Sequence, residues 1–304
     1  MLLTKKNSAV PTRTTQAIRS ILVATDLSPS SRNTVRYAIE IARQYDATLH
    51  FLYVVSSLGY TLCGPDVVEQ ARQLAWRDMD DLETKLVCSG ALKGVRPRFS
   101  VGQGDIAEKI EDYARTEDID LIVVGTHCRG GFSRLVLGSL QERILRRTQH
   151  PVLTVNDRVT APELNTNDID HVLFTTDLGA GARLGLSYAA SIADQFGATL
   201  SMLHVISPFE PGREQVRPAE SPIRASLQRL RALSDYAGNI EIFHHVETGE
   251  IAESIVRTAR AACAKLIVMG LNTATRIAMA VRFSDSVAHR VMCDARCPVL
   301  TIRG

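Results

Sequence analysis

The sequence predicts an α/β protein built from two tandem doubly wound domains, each a five-stranded parallel sheet flanked by helices. Three observations carry that expectation. Apolar runs such as Ile21-Leu22-Val23-Ala24 and Leu121-Ile122-Val123-Val124 show no polar alternation, as expected of parallel strands covered on both faces. Longer stretches with helical spacing separate them, so strands and helices alternate along the chain. The whole pattern then occurs a second time.

The repeat is readable residue by residue. Ile21-Leu22-Val23-Ala24-Thr25-Asp26-Leu27 returns as Val172-Leu173-Phe174-Thr175-Thr176-Asp177-Leu178, and Ala47-Thr48-Leu49 returns as Ala198-Thr199-Leu200. Gly104-Asp105-Ile106-Ala107-Glu108 matches Gly249-Glu250-Ile251-Ala252-Glu253. Leu121 to Gly125 matches Leu266 to Gly270, and Pro151-Val152-Leu153-Thr154-Val155 matches Pro298-Val299-Leu300-Thr301-Ile302. Five pairs in one order, with little drift in spacing, mean two copies of a domain and exclude a short-period solenoid. The polar stretch after Asn156, with Pro162, is the natural linker. The expected organisation is a mobile segment 1–17, a first domain 18–156, a linker 157–168 and a second domain 169–304.

In the first copy, strands are expected near 20–26, 48–55, 95–101, 120–125 and 151–155, with helices over 30–45, 66–88, 105–117 and 138–148. Ser28-Pro29 supplies the first helix start, and Val35, Ala38, Ile39 and Ala42 keep helical spacing behind it. Trp76 and the charged run Arg77-Asp78-Met79-Asp80-Asp81 sit on the second helix and read as packing plus surface. Second-copy strands are expected near 170–176, 199–205, 239–246, 265–270 and 298–302. Its second helix starts only after the Pro-rich loop ending at Pro222.

Composition bounds the function. With 304 residues, 45% of them hydrophobic, the chain can bury two separate cores. Lys+Arg 35 against Asp+Glu 33 leaves a formal charge of +2, so no overall basic field argues for nucleic acid. Six scattered cysteines without a CxxC pair read as reduced thiols. The N-terminus lacks the apolar run of a secretory signal, and no later stretch is long and apolar enough to span a bilayer. These features point to a cytoplasmic protein with no membrane partner.

The chemistry concentrates between Leu121 and Val155. Gly125, Gly130, Gly131 and Gly138 follow a buried strand, where glycine lets backbone N–H groups approach an anion. Ser139 opens a helix whose free N–H groups favour a phosphate, at the carboxyl ends of the strands where such sheets bind ligands. A nucleotide phosphate site is therefore expected here. Arg129 and Arg134 are its candidate cations because they lie in the loop, whereas Arg143, Arg146 and Arg147 suit a solvated helix C-terminus. His289, Cys293 and Cys297 recur every four residues, but Cys297 precedes Pro298, where the helix has ended, so no metal site is expected. His127-Cys128 lacks a third orienting group for nucleophilic catalysis. Neither GxxxxGK[ST] nor GxGxxG follows a first strand.

These residues resemble the universal stress protein family, as two such domains in one chain. The resemblance rests on Asp26 and Asp177 after each first strand, the Gly-Asp/Glu-Ile-Ala-Glu helix start, the Leu-Ile-Val-Val-Gly strand and the final Pro-Val-Leu-Thr strand. It implies an adenine-nucleotide α-hydrolase-like fold and, in nucleotide-binding members, the motif G-x2-G-x9-G-[S/T] around the phosphates. Carried onto the first copy, that motif starts at Gly125, has Cys128 at its second glycine and ends at Gly138-Ser139, with Asp26 and Val54 at the nucleoside. A side chain at Cys128 costs roughly 1–2 kcal/mol, about tenfold in binding, where that position needs positive φ.

The second copy departs further. A strict count from Gly270 places Thr273 and Phe283-Ser284 at the motif positions, whereas alignment back from Pro298 sets Asp285-Ser286 opposite Gly138-Ser139. Either way the last glycine is lost. The resemblance thus implies a stress-response regulator or sensor binding an adenine nucleotide, ATP, in the first domain, with no catalytic residues and at most slow hydrolysis. Each copy ends in an apolar strand, Val152 to Val155 and Val299 to Ile302, that would otherwise leave an unpaired sheet edge, so the two domains are expected to pair as an intramolecular pseudo-dimer, with a homodimer and a partner protein left open. A nucleotide-free scaffold that binds a partner protein is the competing expectation.

Overall fold

The computed structural model describes residues 18–28, 31–56, 65–126, 139–159, 169–207, 221–238, 240–271 and 286–303. The segment 1–17 expected to be mobile and most of the linker lie outside the described residues.

The first copy runs β1 Ser20–Ala24, α1 Arg32–Gln44, β2 Thr48–Ser56, α2 Pro65–Cys88, β3 Arg96–Gly104, α3 Ile106–Thr116, β4 Leu121–Thr126, α4 Ser139–Arg147 and β5 Val152–Asn156. The second runs β6 His171–Thr175, α5 Ala182–Phe196, β7 Thr199–Ile206, α6 Pro222–Ser234, β8 Ile242–Thr248, α7 Ile251–Ala261, β9 Leu266–Leu271, α8 Val287–Asp294 and β10 Val299–Arg303. Most expected elements lie within two or three residues of these. β8 begins later than the expected residue 239, and the first helix begins at Arg32 behind Ser31 rather than at the Ser28-Pro29 signal.

All ten strands join one sheet in the order β3-β2-β1-β4-β5-β10-β9-β6-β7-β8. Among the described residues, pairings within each copy are parallel, and β5 pairs antiparallel with β10, Leu153 opposite Leu300. Successive side chains of a strand point to opposite faces. Ile21, Val23, Leu49 and Phe51 thus enter one core with α1, α2, α5 and α6, whereas Leu22, Ile122 and Val124 enter the other with α3, α4, α7 and α8. Both cores continue across the seam between the copies, which is why neither face of these strands carries polar alternation.

Two repeated motifs acquire a physical reason. Gly104 and Gly249 sit at φ +131° and +150°, which disfavours a side chain, and the next carboxylate caps a helix. Asp105 accepts from the Glu108 N–H at 3.0 Å, and Glu250 accepts from the N–H groups of Ala252 and Glu253. At five helix ends a left-handed residue follows: Asp46, Gly90, Asp118, Gly197 and Cys263. In each case the next N–H bonds back to the last turn, as with Ala264 to the Ala259 carbonyl at 2.8 Å.

The seam is closed by reciprocal contacts from equivalent positions. Gln44 and Gln195 each donate a side-chain N–H to the other's carbonyl, at 3.3 and 3.2 Å. Buried Asn156, at the end of β5, donates to the carbonyls of Met292 and Ala295 at the end of α8, at 2.6 and 2.9 Å. Arg303, at the end of β10, donates to the carbonyls of Arg146 and Thr148 at the end of α4, at 2.8 and 3.2 Å. Each copy's final strand therefore caps the other copy's final helix.

Candidate functional site

In the order 3-2-1-4-5 the chain leaves β1 toward one side of the sheet and β4 toward the other, so a crevice opens between their carboxyl ends. Gly125 lies near the end of β4, Asp26 just beyond β1, and Val54 near the end of β2. The structure thus gathers these three candidates on adjacent strands. Ser139 is the first residue of α4, which runs back from that end of the sheet to β5. Cys128, Arg129, Gly130, Gly131 and Gly138 lie outside the described residues.

The turn after β1 is built from its own side chains. Thr25 Oγ1 accepts from the Leu27 N–H at 3.0 Å and lies 3.1 Å from Ser31 Oγ, which donates to the Ser28 carbonyl at 2.8 Å. Asp26 Oδ1 accepts from the Ser28 N–H at 3.0 Å, and its side chain stands exposed at the rim. These bonds hold Leu27 at φ +60°, a left-handed conformation uncommon for leucine. Sequence reasoning missed this turn. The signal was Thr25, repeated with Asp26 as Thr176-Asp177: there Thr176 Oγ1 accepts from the Leu178 N–H at 2.9 Å, Asp177 Oδ1 from the Gly179 N–H at 2.7 Å, and Leu178 sits at φ +61°.

Gly125 is needed for close approach. A Cβ there would lie 2.5 Å from Oγ1 of buried Thr34 on α1, so β4 can meet that helix only without a side chain. The second copy fills the same volume differently. Gly185 replaces Thr34 and Phe174 replaces Val23, and a Cβ on Gly185 would meet the Phe174 ring at 2.7 Å. The crevice of that copy is lined by Phe174, Thr176, Asp177, Gly181 and Gly270, with His204 Nδ1 2.9 Å from the Thr176 carbonyl oxygen.

The arginines of α4 are not merely solvated. Arg143 pairs with Asp105 and Arg147 with Glu108 at 3.4 Å, fastening α4 to the start of α3. The Glu108 N–H, and after it Arg143, hold the Asp105 carboxyl below its usual range. Arg290 and Glu250 repeat this tie at 2.8 Å, which aligns α8 with α4 and sets Ser286 opposite Ser139, as in the alignment counted back from Pro298. Ser286 accepts from the His289 N–H at 3.2 Å as the α8 N-cap.

His289 Nε2 lies 3.9 Å from Cys293 Sγ, and burial pushes the Cys297 thiol up to about 12. Among the described residues, no group of three His, Cys, Asp or Glu side chains converges on a metal position. Nor is any described helix long and apolar enough to cross a membrane.

Comparison with known proteins agrees with this architecture. The model of the universal stress protein family matches residues 17–156 and again 168–303. Universal stress protein MJ0531 of Methanocaldococcus jannaschii is 30% identical over 138 residues, 45% of this chain and 81% of that protein. Universal stress protein A homolog 2 of Coxiella burnetii is 31% identical over 144 residues, 45% of this chain and 94% of its own length. The crystal structure of a universal stress protein from Archaeoglobus fulgidus superposes with a TM-score of 0.71 at 20% identity, covering 95% of this chain and 97% of that one, a likeness of fold. With the family model matched once per copy and the sheet repeated in each, the chain belongs to the universal stress protein family and carries two of its domains in tandem.

Proposed function

We propose that the first copy binds an adenine nucleotide, ATP, and that the protein acts as a cytoplasmic regulator or sensor in the stress response. The observation that carries this reading is the position of the Gly125 to Ser139 stretch. It joins the carboxyl end of β4 to the amino end of α4 at the sheet's switch point, and the amino end of a helix favours phosphate through its dipole and first-turn N–H groups. Asp26, exposed on the adjoining turn, is assigned to nucleoside hydroxyl or amino groups, and Val54 to an apolar contact. Backbone amides of residues 129–131 and Ser139 are assigned to the phosphates, with Arg129 as a cation. The antiparallel β5–β10 seam supports reading the chain as an intramolecular pseudo-dimer. Binding rather than turnover is the assigned role, because the sequence carries no recognisable hydrolytic base, metal-carboxylate pair or arginine finger.

Calorimetry with ATP on the intact chain tests the proposal. Saturable binding that Gly138→Asp abolishes is expected, since a carboxylate there opposes the phosphates. Cys128→Gly is expected to tighten binding by up to about tenfold. No heat at millimolar ATP would leave the scaffold reading in its place.

A further inference from the structure

We infer that Arg303, on the last strand of the second copy, is a positioning residue for the phosphate-side helix of the first copy. The second copy then presets the first copy's nucleotide site; this rests on the nucleotide reading above. The helix α4 has only nine residues, so about 13 Å separates its two ends. At that length it moves as one piece. Ile144 and Leu145 bury its middle at 3% and 2% exposure, and Arg143 and Arg147 tie its flank to Asp105 and Glu108. Its last carbonyls face the seam, where the Arg303 guanidinium takes those of Arg146 and Thr148 with one nitrogen.

The two caps are not alike. Asn156 serves α8 with a neutral amide, whereas Arg303 brings a full positive charge to α4. A cation at a helix C-terminus and an anion at its N-terminus both stabilise the wound helix, so the two cooperate. Without Arg303, α4 loses its hold at the seam and shifts as one piece. Only a fraction of molecules then presents the Ser139 end correctly, and apparent affinity falls by that fraction.

The test compares wild type, Arg303→Met, Arg303→Lys and Asn156→Ala by ATP calorimetry, by hydrogen exchange across 139–148, and by thermal melts. Arg303→Met is expected to weaken ATP about three- to tenfold, the loss of one charge-assisted contact pair, and to speed exchange in α4. Arg303→Lys is expected to recover most of both. Asn156→Ala cuts the reciprocal tie and lowers the melting temperature, yet is expected to leave ATP affinity within about twofold and α4 exchange unchanged. Wild-type binding with equal affinity in Arg303→Met overturns the inference alone. A loss in Asn156→Ala as large as in Arg303→Met also overturns it, because seam integrity would then explain both. Absence of wild-type binding removes the nucleotide reading and this inference together.

Discussion

Asn156→Ala isolates the energy of the seam at one side chain. Asn156 is 3% exposed; its amide donates to the carbonyls of Met292 and Ala295, and its oxygen accepts from the N–H groups of Arg158 and Val159. Alanine removes all four bonds. The Val159 N–H keeps a second partner in the Asn156 carbonyl, so three groups lose this contact without a replacement in the same geometry. At about 0.5–1.5 kcal/mol net for each bond, more where a buried group is orphaned, the loss is about 2–4 kcal/mol. For a cooperative unit of about 150–250 residues this lowers the melting temperature by roughly 5–15 °C. Scanning calorimetry at neutral pH measures it. Asn156→Asp has the same size but loses both donors and turns a carboxylate toward two carbonyls, so it is expected to fall at least as far. A melting temperature within about 2 °C of wild type for both variants would refute the claim that cross-capping holds the copies together.

Two further predictions concern single residues. Cys263 is exposed and sits at φ +53° just beyond α7, a left-handed position of the kind that Gly197 fills beyond α5. Cys263→Gly is expected to stabilise by about 0.5–1 kcal/mol, visible as a raised denaturant midpoint, and an unchanged midpoint refutes the strain argument. His50 is buried against Tyr113, whose hydroxyl lies 3.0 Å from Nδ1; desolvation and then Arg98 hold its pKa below the ordinary 6.5. The unfolded chain therefore takes up a proton near pH 6.5 while the fold resists it, so this contribution is present above that pH and is lost as pH falls toward the lowered value. His171 and His244, both lowered first by burial, act with the same sign. Melting temperature is expected to drop between pH 7.5 and 5.5, with a shallower drop in His50→Gln; an identical slope would exclude His50 as a contributor.

Much of this architecture could be read from the chain because each copy corroborates the other. Leu121 to Val124 and Leu266 to Met269 are both buried strand residues, and the Asp105 and Glu250 helix starts coincide with observed caps. The apolar character of Val152 to Val155 and Val299 to Ile302 already called for a partner strand. What escaped were relations between residues distant in sequence. Asn156 and Arg303 occupy equivalent positions and do equivalent work, but amide and guanidinium share no pattern that a repeat search detects. The exchange of Val23 and Thr34 for Phe174 and Gly185 is likewise invisible until the packing of α1 and α5 on the sheet is known. At the candidate site, the resemblance assigned Asp26 and Val54 to the nucleoside and Gly125 to the phosphate motif, and the strand order β2-β1-β4 brings their positions onto adjacent strands. The sequence could not foresee that Thr25 and Ser31 shape the turn carrying Asp26, because hydroxyl bonds to nearby backbone leave no periodic trace.

Covalent linkage changes how the pairing of β5 with β10 responds to dilution. Were the two halves separate molecules, that pairing would be bimolecular, and its occupancy would follow protein abundance. Tethered by a linker of about a dozen residues, each half meets the other at an effective concentration of order millimolar, whatever the amount of protein present. The ten-stranded sheet is then already assembled when the protein is scarce, and changes in its expression level alter the number of complete units without altering their composition.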